Sequence, residues 1–365
     1  MSLLEEIKQK ATALGVPLSA HLDITWHCNE RCVHCYLDHD GTGELTTHEV
    51  KDVIRQLSDA GTFFLTISGG EPLLRRDCFE ILEYARSLRF QVKLKTNAVM
   101  IGPPEAARLK RLGIEQVQIS VYSHIDSVHD AITKLPGSLR RTINAIRLLK
   151  ENDIKVSIAN VLMQINSNHG KAVKQLAQEL GVRFSIDPTI TPMINGDRSI
   201  TKLGVSMDEL RAIMHTEEFV GDVAEFCSPT SDTSDDVLDG YSCSAGHTLA
   251  YISPFGDVFP CVQFPMPCGN VRTQPFSDIW YRSPAFSELR SVHVRDLHTC
   301  SSCTHTSYCS RCPGLAYMEG DFRGPSTADC GKSYARTGVP SAAMLRGAQS
   351  TSHIAPGLVQ ISGLQ

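Results

Sequence analysis

The sequence has no apolar run approaching the ~20 residues of a membrane-spanning helix, so membrane insertion is not expected. Its first stretch, MSLLEEIKQKATALGV, reads as a charged amphipathic helix and lacks the apolar core of a signal peptide; the expected location is cytoplasmic. No Lys/Arg-rich run stands out, and 35 basic against 40 acidic side chains leave a formal net charge of −5, so no nucleic-acid partner is expected. Long periodic apolar runs are scarce from Cys243 to about Cys330, where Cys, Gly, Pro and Ser are frequent instead. A region with so little apolar pattern is expected to need staples other than a core.

Cysteine is what the chain has in excess. Thirteen cysteines without an export signal argue for metal rather than disulfides. Three lie between Cys28 and Cys35, nine between Cys227 and Cys330, and only Cys78 stands between the groups. Cys78 opens an amphipathic helix and reads as structural.

From about residue 20 to 190 the pattern alternates strand and helix. Strands are expected over 20–26, 63–68, 91–97, 114–122, 154–162 and 182–188, with amphipathic helices between them. Thr46 or Thr47 is placed to cap the helix that Gly61 ends. Such repeats predict a parallel sheet with right-handed crossovers, either doubly wound or a partial barrel, and chemistry at the C-terminal strand ends. One further helix is expected over 206–216. The Ser/Asp-rich stretch 227–243 reads as a loop. The tail from about Ser341 reads as loosely packed.

Cys28, Cys32 and Cys35, spaced C-x3-C-x2-C, sit where strand one ends. Three thiolates on one loop suit zinc, completed by His27, His34 or His39, or an iron–sulfur cluster with one corner open to another ligand. At the end of strand two, TISGGEPLL offers Gly69 and Gly70, which let backbone approach closely, then Glu71, which could accept hydrogen bonds from an ammonium group, and Pro72. The second group reads Cys243-x12-Gly256-x4-Cys261, then Cys300-x2-Cys303-x5-Cys309-x2-Cys312, then Cys330. On spacing alone, paired C-x2-C also suits zinc.

The C-x3-C-x2-C loop, followed by Tyr36 and placed after strand one, resembles the signature of radical S-adenosylmethionine (SAM) enzymes. GGEP at strand two resembles their SAM-binding motif. The second cysteine group, with GNVRTQPFSDIWYRSPAFSELR inside it, resembles their SPASM extension, except that its last pair is C-x2-C where the general form has C-x3-C. The resemblance covers roughly residues 19–335. It implies a partial (β/α)6 TIM-like barrel over 19–192 after an N-terminal helix (1–18). A bridging region (193–242), a cysteine-rich SPASM domain stapled by iron–sulfur clusters (243–335) and a tail (336–365) follow.

The resemblance further implies a 4Fe–4S cluster on Cys28, Cys32 and Cys35 whose open iron binds SAM, giving a 5′-deoxyadenosyl radical on reduction. Gly69, Gly70, Glu71, Pro72, Thr96, Asn97, Ser120, Tyr122, Arg141 and Asn160 occupy positions expected to contact SAM. Two auxiliary clusters are implied. Cys300, Cys303, Cys309 and Cys330 would hold the distal one. Cys243, Cys261 and Cys312 would hold the nearer one, with Cys268 favoured over Cys227 as fourth ligand, or with the fourth position open. Asp187, ending strand six, would face substrate as a base or cap the next turn. The implied substrate is a ribosomally made precursor peptide, crosslinked, epimerised or oxidised. Alternatives are a tetrapyrrole side chain of the haem or haem d1 pathways, disfavoured by few Lys or Arg at strand ends, and a sulfatase-type maturation. Flavodoxin or ferredoxin is the implied electron donor. About 20 residues precede strand one, too few for a peptide-recognition domain of roughly 80, so a separate leader-binding protein or capture by the SPASM region is expected.

Overall fold

Helix α1 (Leu3–Leu14) leads into strand β1 (Ser19–Asp23), and the chain then alternates helix and strand. The order is α2 (Thr47–Asp59), β2 (Phe64–Ser68), α3 (Cys78–Ser87), β3 (Gln91–Thr96), α4 (Pro103–Arg111) and β4 (Gln116–Ser120). Helices α5 (Asp126–Thr133) and α6 (Ser138–Glu151), strand β5 (Lys155–Val161), helix α7 (Gly170–Glu179) and strand β6 (Arg183–Asp187) complete the repeat. This computed structural model describes residues 3–228 and 234–351; the end of the expected tail lies outside the described residues. All six expected strands are present, parallel and ordered β6-β5-β4-β3-β2-β1. Thr46 is the cap of α2: its hydroxyl accepts from Glu49 N while the Glu49 carboxylate accepts from Thr46 N, two orphan donors satisfied reciprocally.

Helix α5 was not expected from the sequence, because eight residues are too few to show a full apolar period. Helix α8 (Met207–Met214) forms behind a Ser206 capping box. Two short helices, α9 (Glu217–Val220) and α10 (Val223–Cys227), precede the stretch read as a loop, and α11 (Asp235–Leu238) is a single turn within it.

A seventh parallel strand, β7 (Leu249–Ile252), pairs with the other edge of β1, Ser19 opposite Leu249 through Leu22 opposite Ile252. Strands β8 (Asp257–Phe259) and β9 (Gly269–Asn270) continue antiparallel, giving one open nine-stranded sheet. The boundary expected at 242/243 therefore cuts into one continuous sheet. Helices α12 (Phe276–Arg282), α13 (Pro284–Arg290), α14 (Pro313–Met318), α15 (Thr327–Thr337) and α16 (Ala342–Thr351) follow.

The cysteine-rich region also buries more than its sequence pattern promised. Phe264, Phe276, Trp280 and Phe286 are fully buried and join the barrel's own apolar cluster. The Trp280 indole N–H donates to Gly15 O at 2.6 Å, and Arg290 stacks 4.2 Å from the indole centroid. The expectation that staples alone hold this region is thus corrected. Aromatic residues far apart in sequence meet there, which no local period reveals.

Alternation along the strands separates two faces. Leu22, Ile67, Val92, Leu94, Val117, Ile119 and Ile158 belong to the buried apolar cluster, while His21, Lys95, Gln118, Ser120, Ser185 and Asp187 turn to a cavity inside the barrel. A closed (β/α)8 barrel fills its interior with branched apolar side chains. Polar side chains on this inward face leave space instead.

Candidate active site

The interior cavity measures about 490 Å³ and opens where the parallel strands end. Cys28, Cys32 and Cys35 form one wall, with Tyr36 beside them. The loop that carries them is held from below and from the side. Gly70 N donates to Thr25 O and Glu71 N to His27 O, each at 2.8 Å. Arg31 N and Val33 N donate to Thr133 O and Ile132 O, at 2.9 and 3.0 Å, so α5 clamps the loop.

The two glycines are required by this docking. A Cβ on Gly69, whose φ is +145°, would lie 2.1 Å from Thr25 O, and one on Gly70 would lie 2.4 Å from His27 O. The sequence suggested close approach to a ligand; the close approach is to the cysteine loop.

Of the residues expected to contact SAM, Gly69, Gly70, Thr96, Asn97, Ser120, Tyr122 and Asn160 line the cavity. Glu71, Pro72 and Arg141 do not. Glu71 is fully buried within the wall. Its carboxylate accepts from Leu73 N at 3.0 Å, from the Thr96 hydroxyl at 2.8 and 2.9 Å, and from Asn97 N at 2.8 Å. Burial raises its pKa. The side chain pins the ends of β2 and β3 together and does not reach the cavity, where the ammonium contact was expected. Pro72 is buried and starts a single 3₁₀ turn. Arg141 is exposed on α6 and donates to Gly137 O and Pro136 O.

Asn160 is buried; its Nδ2 donates to Val121 O at 2.6 Å and its Oδ1 has no partner. His34 Nδ1, also on the cavity, is likewise unpaired. Orphaned buried acceptors and donors on a cavity wall mark where a polar ligand belongs. Asp187 lines the cavity and also accepts from Thr189 N at 2.8 Å, so it faces the cavity and caps its own turn at once.

Two wall residues escaped the sequence reading. Glu30, within the cysteine loop, is buried and its carboxyl is pushed up to about 7 by burial. Lys95 lines the cavity with no hydrogen bond or ion pair among the described residues. The alternation Lys93-Leu94-Lys95-Thr96 was the available signal for Lys95.

Seven of the remaining cysteines fall into two spatial sets. Cys300, Cys303, Cys309 and Cys330 line one cavity of about 360 Å³. Cys243, Cys261 and Cys312 lie within electrostatic reach of one another. Val262 and Gln263, which follow Cys261, form the far wall of the barrel cavity. Cys268 does not join this set: it is 6% exposed, packed in the apolar core, and its thiol donates to Met266 O. Cys227 sits apart on α10, its sulfur 3.7 Å from His215 Nε2. The expectation of Cys268 as a fourth ligand is therefore corrected; its nearness in sequence does not survive the turn into β9. Cys78 is buried in the core, where a structural residue belongs.

The profile of the radical SAM superfamily matches residues 23–177, and that of the SPASM iron–sulfur cluster-binding domain matches residues 243–313. Mycofactocin maturase MftC of Mycobacterium ulcerans is 30% identical over 359 residues, covering 93% of this chain and 94% of its own. The chain belongs to the radical SAM superfamily and carries a SPASM domain. The AdoMet-dependent heme synthase of Methanosarcina barkeri is 29% identical over 326 residues, 82% of this chain and 92% of its own. Among solved structures, Streptococcus suis SuiB bound to the precursor peptide SuiA superposes with a TM-score of 0.70 at 20% identity, covering 89% of this chain and 78% of that one. At that identity the likeness is one of fold.

This radical SAM enzyme binds SAM and a 4Fe–4S cluster, and its SPASM region binds auxiliary iron–sulfur clusters. The donor sets fit such groups. Among the described residues no three His, Cys, Asp or Glu side chains converge on a single-ion site. Thiols spaced around a void suit a cluster whose irons occupy separate corners better than one zinc. Burial pushes Cys28 up to about 12 and Cys261 up to about 11, and raises Cys32 and Cys35 as well. Deprotonated sulfur in such surroundings needs a cation, and iron supplies it. Among the described residues no helix is long and apolar enough to cross a membrane.

Proposed function

We propose that the enzyme matures a ribosomally made peptide, taking hydrogen from a side chain or α-carbon and leaving a crosslink, an epimer or an oxidised residue. The observation that carries this reading is the cavity joining the cysteine loop to the residues after Cys261. Its walls offer the hydrogen-bonding side chains Gln118, Ser120, Asp187, Thr189, Thr191 and Gln263. Peptide backbone can pair with such groups, whereas a flat macrocycle calls for an apolar slot. The relative named mycofactocin maturase and the SuiB complex with a precursor peptide point the same way.

In this reading Cys28, Cys32 and Cys35 hold the 4Fe–4S cluster within the barrel of 19–192. Cys243, Cys261 and Cys312 hold the nearer auxiliary cluster, and Cys300, Cys303, Cys309 and Cys330 the distal one, within 243–335. Bound SAM and the reduced cluster supply a 5′-deoxyadenosyl radical. Gly69, Gly70, Thr96, Asn97, Ser120, Tyr122 and Asn160 seat SAM, and Asp187 takes the substrate proton. A flavodoxin or ferredoxin delivers electrons, and a separate leader-binding protein or the SPASM surface captures the peptide.

A tetrapyrrole substrate is the second reading. Lys95 is an unpaired cation on the cavity wall, suited to a carboxylate, and one relative is named a heme synthase. The deciding experiment incubates reduced enzyme and SAM with precursor peptides encoded beside its gene, then with sirohaem derivatives. A peptide mass change coupled to deoxyadenosine is expected. Deoxyadenosine coupled only to a tetrapyrrole overturns the peptide reading.

A further inference from the structure

Arg311 stands between the two auxiliary cysteine sets. In sequence it separates Cys309 from Cys312. In space it lines both the cavity ringed by Cys300, Cys303, Cys309 and Cys330 and the smaller one bordered by Cys243. It is 6% exposed. Its Nε donates to Gly324 O at 3.0 Å and its Nη2 to Phe322 O and Gly324 O. Those carbonyls fix the plane of the guanidinium. Nη1 is buried and has no nitrogen or oxygen partner, and the Cys300 thiol lies beside the guanidinium.

No carboxylate lies within ion-pair distance of Arg311 among the described residues. Two carboxylates line this cavity: Asp236, exposed on α11, and Asp329, which is engaged elsewhere: it accepts from Cys312 N at 2.7 Å and lies 2.7 Å from Lys332 Nζ. A buried guanidinium without a counter-ion costs several kcal/mol. Cys300 lies within reach of its charge, which opposes the effect of burial on that thiol. Four thiolates around iron and sulfide carry net negative charge and expose sulfur acceptors, which answers both the charge and the idle donor.

We propose that Arg311 is a positioning residue for the distal auxiliary cluster, giving it a buried charge and an Nη1–H hydrogen bond that raise its reduction potential. The inference rests on the assignment of Cys300, Cys303, Cys309 and Cys330 to one cluster, and not on the substrate. Hydrogen bonds to cluster sulfur and nearby positive charge both favour the reduced, more negative state.

The test is a potentiometric titration followed by electron paramagnetic resonance on reconstituted protein carrying Cys28→Ala, Cys32→Ala and Cys35→Ala, so that only auxiliary clusters report. The distal signal is the one lost in Cys330→Ala. Arg311→Gln is expected to lower the reduced-to-oxidised ratio of that signal at fixed potential at least tenfold, about 59 mV for one electron. Arg311→Lys, which keeps charge but not the fork, is expected to lower it less than Arg311→Gln does. An unchanged ratio with full iron content overturns the proposal. Should Arg311→Gln fail to keep its iron, protein grown with ¹⁵N-arginine decides: a ¹⁵N coupling on the distal signal supports the contact, and its absence overturns it. Neither result depends on whether the substrate is a peptide.

Discussion

The hydroxyl of Thr96 lies 2.8 and 2.9 Å from the two carboxylate oxygens of Glu71, buried beneath the floor of the active-site cavity. With Leu73 N and Asn97 N as further donors, the carboxylate joins two strand ends that both line the cavity. Glu71→Gln keeps the size but turns one acceptor into a donor facing N–H groups. A loss of about 2–3 kcal/mol in stability is expected, as for a buried group left unpaired. SAM affinity should fall with it. Thr96→Val should cost about 1 kcal/mol. Urea unfolding and calorimetric SAM titration check both; a Glu71→Gln variant with normal stability and weakened SAM binding would restore direct contact.

Gly70→Ala should separate the turn from the cysteine loop, since its Cβ would meet both Trp26 O and His27 O within 2.5 Å. Overpacking of this kind costs about 1–3 kcal/mol. The expected outcome is loss of the barrel's cluster, with auxiliary iron retained. Iron and sulfide analysis reads it directly.

The cysteines make a sharper comparison. Cys268→Ala should leave iron content and the auxiliary spectrum unchanged, because the side chain packs in the core. Cys261→Ala or Cys312→Ala should each lower auxiliary iron, by up to about four atoms. A Cys268→Ala protein that lost iron would return that residue to the ligand set.

His129 is buried, accepts from Tyr122 N at 3.2 Å, and lies tilted with its ring centroid 5.4 Å from that of Tyr122. Burial lowers its pKa from 6.5 to about 4. The unfolded chain therefore binds the proton more readily, and the stability this histidine contributes is full above its unfolded pKa of 6.5 and is lost as pH falls toward about 4. Between about pH 7.5 and 5.5 the loss attributable to it is roughly 1 kcal/mol. His129→Gln should flatten that part of the profile, measured by urea midpoint at each pH.

The strands and the cluster loop were legible because local rules govern them. Alternation gave β1 to β6, and the Thr46 cap and Gly61 stop bounded α2. The spacing around Cys28 and Cys300 grouped thiols that the fold brings together. What escaped depends on distance along the chain. The role of Glu71 needs Thr96 and Asn97, 25 and 26 residues later. Cys268 is near Cys261 in sequence yet turns into the core. Trp280 binds Gly15 across 265 residues, so the apolar core of the cysteine-rich region had no local signature.

The pairing of β1 with β7 has a consequence for how the protein is made. The strand that leads to Cys28 leaves the ribosome before its second neighbour, which ends at Ile252 some 230 residues later. Until then one edge of β1 stays open, with unpaired backbone groups that invite other chains. A fragment ended near residue 192 should therefore aggregate rather than fold as a small enzyme. Synthesis of the second half completes the first.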